Sequence, residues 1–303
     1  MHYIFEPGFF ASAPVRTALL VGTVIAIASA VVGVFTVTRG QSFAGHSLAD
    51  IATTGGSGAF LIGLNQFWGY LAFGVGAAAF MELIGVQRRR GRDVATGVVL
   101  GGAIGLAALF LYLGTQTTST TGASFTILFG SMFVLTAATV PFLVVSALLA
   151  LGLVLILARV LLLSSLSPDI AAARGVPVRL VGAAYLMALA VSVALSAVIV
   201  GAVLSTALLI GPAATALRIT RGPVRAMTTA AAIGVAATWA GILLAYDSYY
   251  WPPAGHGWPV SFFVVAFVVG GYLVTYLRPA RSRPGAPAAE ASRLETEHSC
   301  SPA

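Results

Sequence analysis

From Val94 to Ala158 the chain carries no Asp, Glu, Lys or Arg. A helix needs about 20 apolar residues to cross the roughly 30 Å hydrocarbon core of a bilayer, so this one stretch is long enough to cross twice. A soluble domain of 303 residues needs far more surface charge than such a run leaves. The remainder agrees: charged residues make up 8% of the chain and hydrophobic ones 58%, and the mean hydropathy is +0.97. The fold class that follows is an all-α, polytopic transmembrane helix bundle.

The 16 basic residues are all Arg, and the net charge is +7. Twelve of them fall in clusters: Arg88, Arg89, Arg90 and Arg92; Arg174 and Arg179; Arg218, Arg221 and Arg225; Arg278, Arg281 and Arg283. Arg in short loops marks the cytoplasmic side, which accounts for the charge without nucleic acid. Even numbers of crossings then fit between clusters. Val94–Gly114 goes out and roughly Ser131–Leu163 returns, with the uncharged polar run Thr115–Ser124 as an outer loop. Val181–Val200 and Gly201–Ala216 form a second pair, Thr228–Ala245 and Ser261–Leu277 a third. Ala18–Val37, Gly45–Gly63 and Trp68–Val86 each have the length of a span, which gives eight or nine crossings. The first apolar run is too long for a cleavable signal and lacks a small-residue cleavage pattern, so it reads as a span. Residues 1–278 form the permeating domain on this reading, and 279–303, rich in Pro, Ala and Arg, read as a disordered cytoplasmic tail. Gly97, Gly101 and Gly105 make a small-residue stripe of the kind that lets helices approach closely. Cys300 is the sole cysteine, which excludes a disulfide framework or a cysteine metal site.

Ionisable groups inside spans are costly and point to function. His46 and Asp50 stand at i and i+4, so a helix stacks them on one face. An imidazole and a carboxylate so placed can ligate one divalent transition metal such as Zn²⁺ or Mn²⁺. Alternatively they pair with each other, with Arg39 or with interfacial water. The run Thr53-Thr54-Gly55-Gly56-Ser57-Gly58 behind them permits a bend or a close approach. Asp247 and His256 read as interfacial residues of the last outer turn. Ser167-Pro168-Asp169 through Ala172 and Gly175 spells a short cytoplasmic helix, with Ser167 or Asp169 as cap, Pro168 in the first turn and Gly175 ending it. Gly211-Pro212 reads as a break near the cytoplasmic end of a span. No phosphate-binding loop GxxxxGK[ST], HExxH or GxSxG occurs. ATP binding of that kind, intramembrane proteolysis and lipolysis are therefore not signalled, and energy must come from a partner or an ion gradient.

Four stretches, in order, resemble the permease subunits of bacterial zinc/manganese/iron ABC importers. They are Gly33–Arg39 with Ser42–Asp50; Arg92–Gly97; Leu128–Ser131 with Ser167–Gly175; and Val200–Leu204 through Pro212–Ala216. The likeness spans roughly residues 15 to 277. It implies a type II ABC-importer-like permease in the bacterial plasma membrane. It implies a homodimer around one path, two cytoplasmic ATP-binding subunits, and an extracytoplasmic metal-binding protein that delivers the cation. The cation passes transiently and no cofactor is permanently bound. Ser167, Pro168, Asp169, Ala172 and Gly175 would belong to the coupling helix that docks on the ATPase. The family shows Asp first and His four residues later at the metal path; here His46 precedes Asp50, and the spacing and both ligand types survive the exchange. The competing class is a self-standing, gradient-driven carrier of a cation or small solute. It calls for more acidic or His residues at mid-membrane and often an internal repeat, and this chain has few of the former and no convincing repeat.

Overall fold

The computed structural model describes residues 8–83, 92–118, 121–130, 132–251, 255 and 257–277. The Arg88–Arg90 cluster, His256 and the 279–303 tail of the sequence reading lie outside the described residues. Eleven α-helices are assigned: α1 (Ala13–Thr38), α2 (Ser42–Leu61), α3 (Gln66–Leu83), α4 (Arg92–Thr118), α5 (Thr121–Phe129), α6 (Val140–Leu166), α7 (Pro168–Ala173), α8 (Val178–Val200), α9 (Ser205–Ile219), α10 (Pro223–Ser248) and α11 (Val260–Leu277), with a short 3₁₀ turn at Met132–Val134. Among the described residues there is no strand.

Local chemistry sets the ends of these helices. α1, α6, α7 and α10 carry Pro in their first turn, where its missing N–H would have had no intrahelical partner. α1 ends in a Schellman turn. Gly40 takes φ 64°, the Gly40 N–H donates to the Val37 carbonyl at 3.1 Å and the Gln41 N–H to Thr36 at 2.9 Å. The same two bonds recur beyond α2, around Gly63, and beyond α7, around Gly175. This cap satisfies otherwise orphaned carbonyls and reverses the chain in few residues, so α1–α2, α2–α3 and α7–α8 are joined tightly.

Five helices are long and apolar enough to cross a bilayer by themselves: α1, α4, α6, α8 and α10. α1 and α8 are the buried axis, each 72% buried over its apolar window. Ser29 on α1 and Ser196 on α8 share a hydrogen bond of 2.8 Å in surroundings where an unpaired hydroxyl would be expensive. α10, α9 and α6 pack on α1, while α2 packs on α3 and α4. At the α2–α3 contact a Cβ on Gly55 would meet the Gly69 carbonyl, and one on Gly69 would meet the Gly55 carbonyl. The two backbones therefore touch, an approach only small residues allow.

The N-terminal segment lies at the end of the bundle that carries the loop after α10, with the Phe9 and Tyr246 rings 5.4 Å apart. Arg39 and Ser164 meet at the opposite end, 2.9 Å apart, the end where α7 and the Arg218–Arg225 turn also lie. With three unbroken helices before the first Arg cluster, the positive-inside rule then puts the N-terminal segment outside.

Three expectations need correction. The return span begins at Val140, not near Ser131. Thr121–Phe129 instead form α5 and Met132–Val134 the 3₁₀ turn, and Gly130, at φ 83°, turns the chain against the α8–α9 junction. There the N–H groups of Ala202 and Val203 donate to the carbonyls of Ile127 and Leu128 at 3.1 and 3.4 Å. A Cβ on Gly130 would meet the Ile199 carbonyl, and one on Gly201 the Leu128 carbonyl. The discontinuity of the outgoing and returning pair is this glycine crossing, not Gly211-Pro212. α9 runs through Pro212, and a Cβ on Gly211 would strike Val268 of α11; the pair is a packing contact within a continuous helix. Finally, Gly101 and Gly105 of the α4 stripe have no atom within 4 Å of a Cβ position, so among the described residues no helix uses that face at those positions.

Candidate metal path

α2 starts at the inner end of the bundle, and Asp50 lies eight residues along it, about 12 Å at 1.5 Å per residue. His46 Nε2 and Asp50 Oδ2 are 3.5 Å apart, with the imidazole 49% and the carboxylate 15% exposed. Phe43, His46 and Asp50 share a face that other helices leave partly open. Beyond Asp50 the same helix is covered: Thr53, Thr54 and Ser57 are buried. Their hydroxyls donate to carbonyls, Thr53 to Ala49 at 2.8 Å, Thr54 to Ala103 of α4 at 2.8 Å and Ser57 to Thr54 at 3.0 Å. They are committed to the backbone, which leaves His46 and Asp50 as the chemistry-bearing pair of this helix.

Asp50 Oδ2 is buried and has no hydrogen-bond partner; its imidazole neighbour at 3.5 Å is beyond good hydrogen-bond length. A buried carboxylate oxygen without a donor costs free energy and is a free lone pair for a cation. Among the described residues no three His, Cys, Asp or Glu side chains come together. One chain thus offers two ligands, fewer than the four of a tetrahedral zinc site.

Arg39 does not pair with His46 or Asp50, as the sequence reading allowed. Its Nη1 donates to the Ser164 hydroxyl at 2.9 Å and its guanidinium sits 5.3 Å from the centroid of the Tyr185 ring. Burial pulls its pKa down from the ordinary value, though a guanidinium remains charged in proteins. The Tyr185 hydroxyl shares a 2.7 Å hydrogen bond with Thr36. This polar cluster of α1, α6 and α8 was not anticipated; the signal for it is a Ser, a Thr and a Tyr within otherwise apolar spans.

α7 lies where a short helix was expected. Ser167 occupies the cap position but makes no side-chain cap bond; its carbonyl accepts from the Ala171 N–H at 3.1 Å and its own N–H donates to the Leu163 carbonyl at 3.1 Å. Ile170, Ala172, Arg174 and Gly175 are exposed. Asp247, expected at the interface, is fully buried in the last turn of α10. At the outer end a cavity of about 290 Å³ opens between the α2–α3 turn, α5 and α8, lined by Asn65, Gln66, Tyr70, Thr126 and Thr139 among others; none of its lining residues carries a charge.

Residues 12–272 match the model of the ABC 3 transport family, and the chain belongs to that family. Manganese transport system membrane protein MntC of Listeria innocua is 28% identical over 80% of this chain and 85% of its own length. High-affinity zinc uptake system membrane protein ZnuB of Haemophilus influenzae is 25% identical over 68% of this chain and 78% of its own. Among solved structures, PsaBC from Streptococcus pneumoniae, in complex with Fab, superposes with a TM-score of 0.73 over 95% of this chain and 97% of that one, at 24% identity; the shared property is the fold. The chain is accordingly the multi-pass membrane permease of an ABC transport system, and the ATP-driven reading stands over the gradient-driven carrier.

Proposed function

We propose that this permease imports a divalent transition-metal cation, manganese or zinc, and that His46 and Asp50 line its path. The observation that carries the reading is the His46/Asp50 pair, on an open face of α2, with a buried carboxylate oxygen that has no hydrogen-bond partner among the described residues. Neutral imidazole and carboxylate suit both cations, and affinity order alone does not choose between them. The names of the two relatives, manganese for one and zinc for the other, support the same pair of cations.

Two ligands per chain call for a second copy. Two His46/Asp50 pairs supply four ligands, and two carboxylates balance the charge of one divalent ion, which lowers the cost of holding it in a low-dielectric interior. ATP-binding subunits on the cytoplasmic side would drive alternating access. They would grip α7 through Ser167–Gly175, whose exposed Ile170, Ala172 and Gly175 offer a docking surface. An extracytoplasmic binding protein would deliver the cation at the outer end.

The test is uptake of Mn²⁺ and Zn²⁺ into proteoliposomes holding the complex purified with its ATPase subunit. Replacing both His46 and Asp50 by Ala should abolish uptake while the complex still assembles. Uptake at the wild-type rate in that double variant overturns the site.

A further inference from the structure

Arg39 is a half-buried cation that the proposed path leaves unused. It follows the last residue of α1, three positions before α2 begins, in the tight turn from which the His46/Asp50 helix rises. Its hydrogen bond goes to Ser164 of α6, four residues before Pro168 opens α7. Its ring contact is with Tyr185 of α8, the helix that leaves α7 on the other side. One side chain therefore touches both helices that flank α7 and belongs to the turn that roots α2. Among the described residues no carboxylate lies within ion-pair distance of it, so charge neutralisation does not explain its burial.

The turn also holds unmet polar groups. Arg39 Nε is a buried donor and Gln41 Oε1 a buried acceptor, and neither has a hydrogen-bond partner among the described residues. Buried orphans are rare and call for a reason. A donor and an acceptor left open two residues apart fit a turn with a second arrangement in which they are satisfied, the kind of two-state element that conveys a mechanical signal. The Ser164 hydroxyl is meanwhile anchored to its own helix, donating to Leu161 at 3.1 Å, so motion of the inner end of α6 is motion of the Arg39 acceptor.

We infer that Arg39 is a positioning residue that couples α7 to the cation-binding helix: displacement of α7 moves Ser164 and Tyr185, and Arg39 carries that displacement into the root of α2, re-aiming His46 and Asp50. The inference rests on the permease reading above. Lys in place of Arg keeps the charge but not the planar fork that reaches a hydroxyl and stacks on a ring together.

The experiment measures ATP hydrolysis and Mn²⁺ uptake together in proteoliposomes of the whole complex, for the wild type and for Arg39→Ala, Arg39→Lys and Ser164→Ala. The expected result is a fall of about fivefold or more in cations moved per ATP hydrolysed for Arg39→Ala, with hydrolysis near the wild-type rate, and smaller falls for the other two. A merely structural Arg39 would lower hydrolysis and uptake in proportion as less complex survives; an unchanged ratio in every variant that assembles overturns the inference. If Arg39→Ala does not assemble, Ser164→Ala, which removes one hydroxyl, decides by the same ratio. A wild-type complex that hydrolyses ATP and moves neither Mn²⁺ nor Zn²⁺ overturns the functional reading itself, and this inference with it.

Discussion

Replacing Gly55 by Ala adds one methyl group where α2 and α3 meet backbone to backbone. The new Cβ would collide with the Gly69 carbonyl and the Phe73 side chain, and a carbonyl in a helix cannot rotate aside. The helices must separate by on the order of 1 Å, a gap that forfeits a quarter to a half of the dispersion energy of the contacts beside it. Against this, Ala is favoured over Gly inside a helix by about 0.5–1 kcal/mol. Overpacking of a tight site costs about 1–3 kcal/mol, so the net effect is destabilising by up to about 2.5 kcal/mol. Gly76→Ala on α3 is the control, because nothing lies within 4 Å of its Cβ position. There only the helix preference acts, and the change should be neutral or stabilising by up to about 1 kcal/mol. The assay is the apparent Tm of each purified variant in the same mild detergent. Gly55→Ala should melt below the wild type and Gly76→Ala at or above it. Equal shifts, or a Gly55→Ala protein as stable as the control, would refute the reasoning that backbone contact holds α2 in place.

Exchanging the ligands, His46→Asp with Asp50→His, restores the order usual in the resembled family while keeping the i,i+4 spacing; uptake of Mn²⁺ in proteoliposomes should persist, and its complete loss would mean that each ligand's depth matters more than the pair's spacing. Gly201→Ala should fail to accumulate as folded protein, seen as loss of the monodisperse peak in detergent, because its Cβ would fall on the backbone of residues 128–130; a wild-type yield would contradict the crossing. In a Cys300→Ser background, Phe10→Cys should react with a membrane-impermeant thiol reagent on intact cells, and Ile170→Cys only after permeabilisation. Both side chains are exposed, and the reverse pattern would invert the topology.

Much of the membrane organisation was legible because its causes are local. Uncharged runs have the length of a bilayer crossing, and Arg clusters choose a side whatever the helices do later. The α7 segment was legible for the same reason: Pro in a first turn and Gly after the last act within one helical turn. The Gly211-Pro212 reading failed because a Pro breaks an isolated pattern, while here the continuing helix is held against α11 and α1. The α5 turn was missed because Gly130 and Gly201 lie far apart in sequence, and neither shows its purpose without the other. Arg39 was read as a possible partner of His46 and Asp50; its partners stand 125 residues away on α6 and on α8.

The sequence by itself determined that the chain crosses a bilayer many times, that the Arg clusters lie on the cytoplasmic side, and that His46 and Asp50 share a helical face. These follow from composition and from the 3.6-residue period, which need no partner. Only the tertiary structure decided that this face stays open while Thr53, Thr54 and Ser57 are closed off, that two glycine breaks interlock, and that Arg39 bridges the flanks of α7. Each depends on which helices meet. In a bundle with so few charges, that choice rests on close packing of small residues and on a few buried hydrogen bonds, neither of which has a periodic signature along the chain.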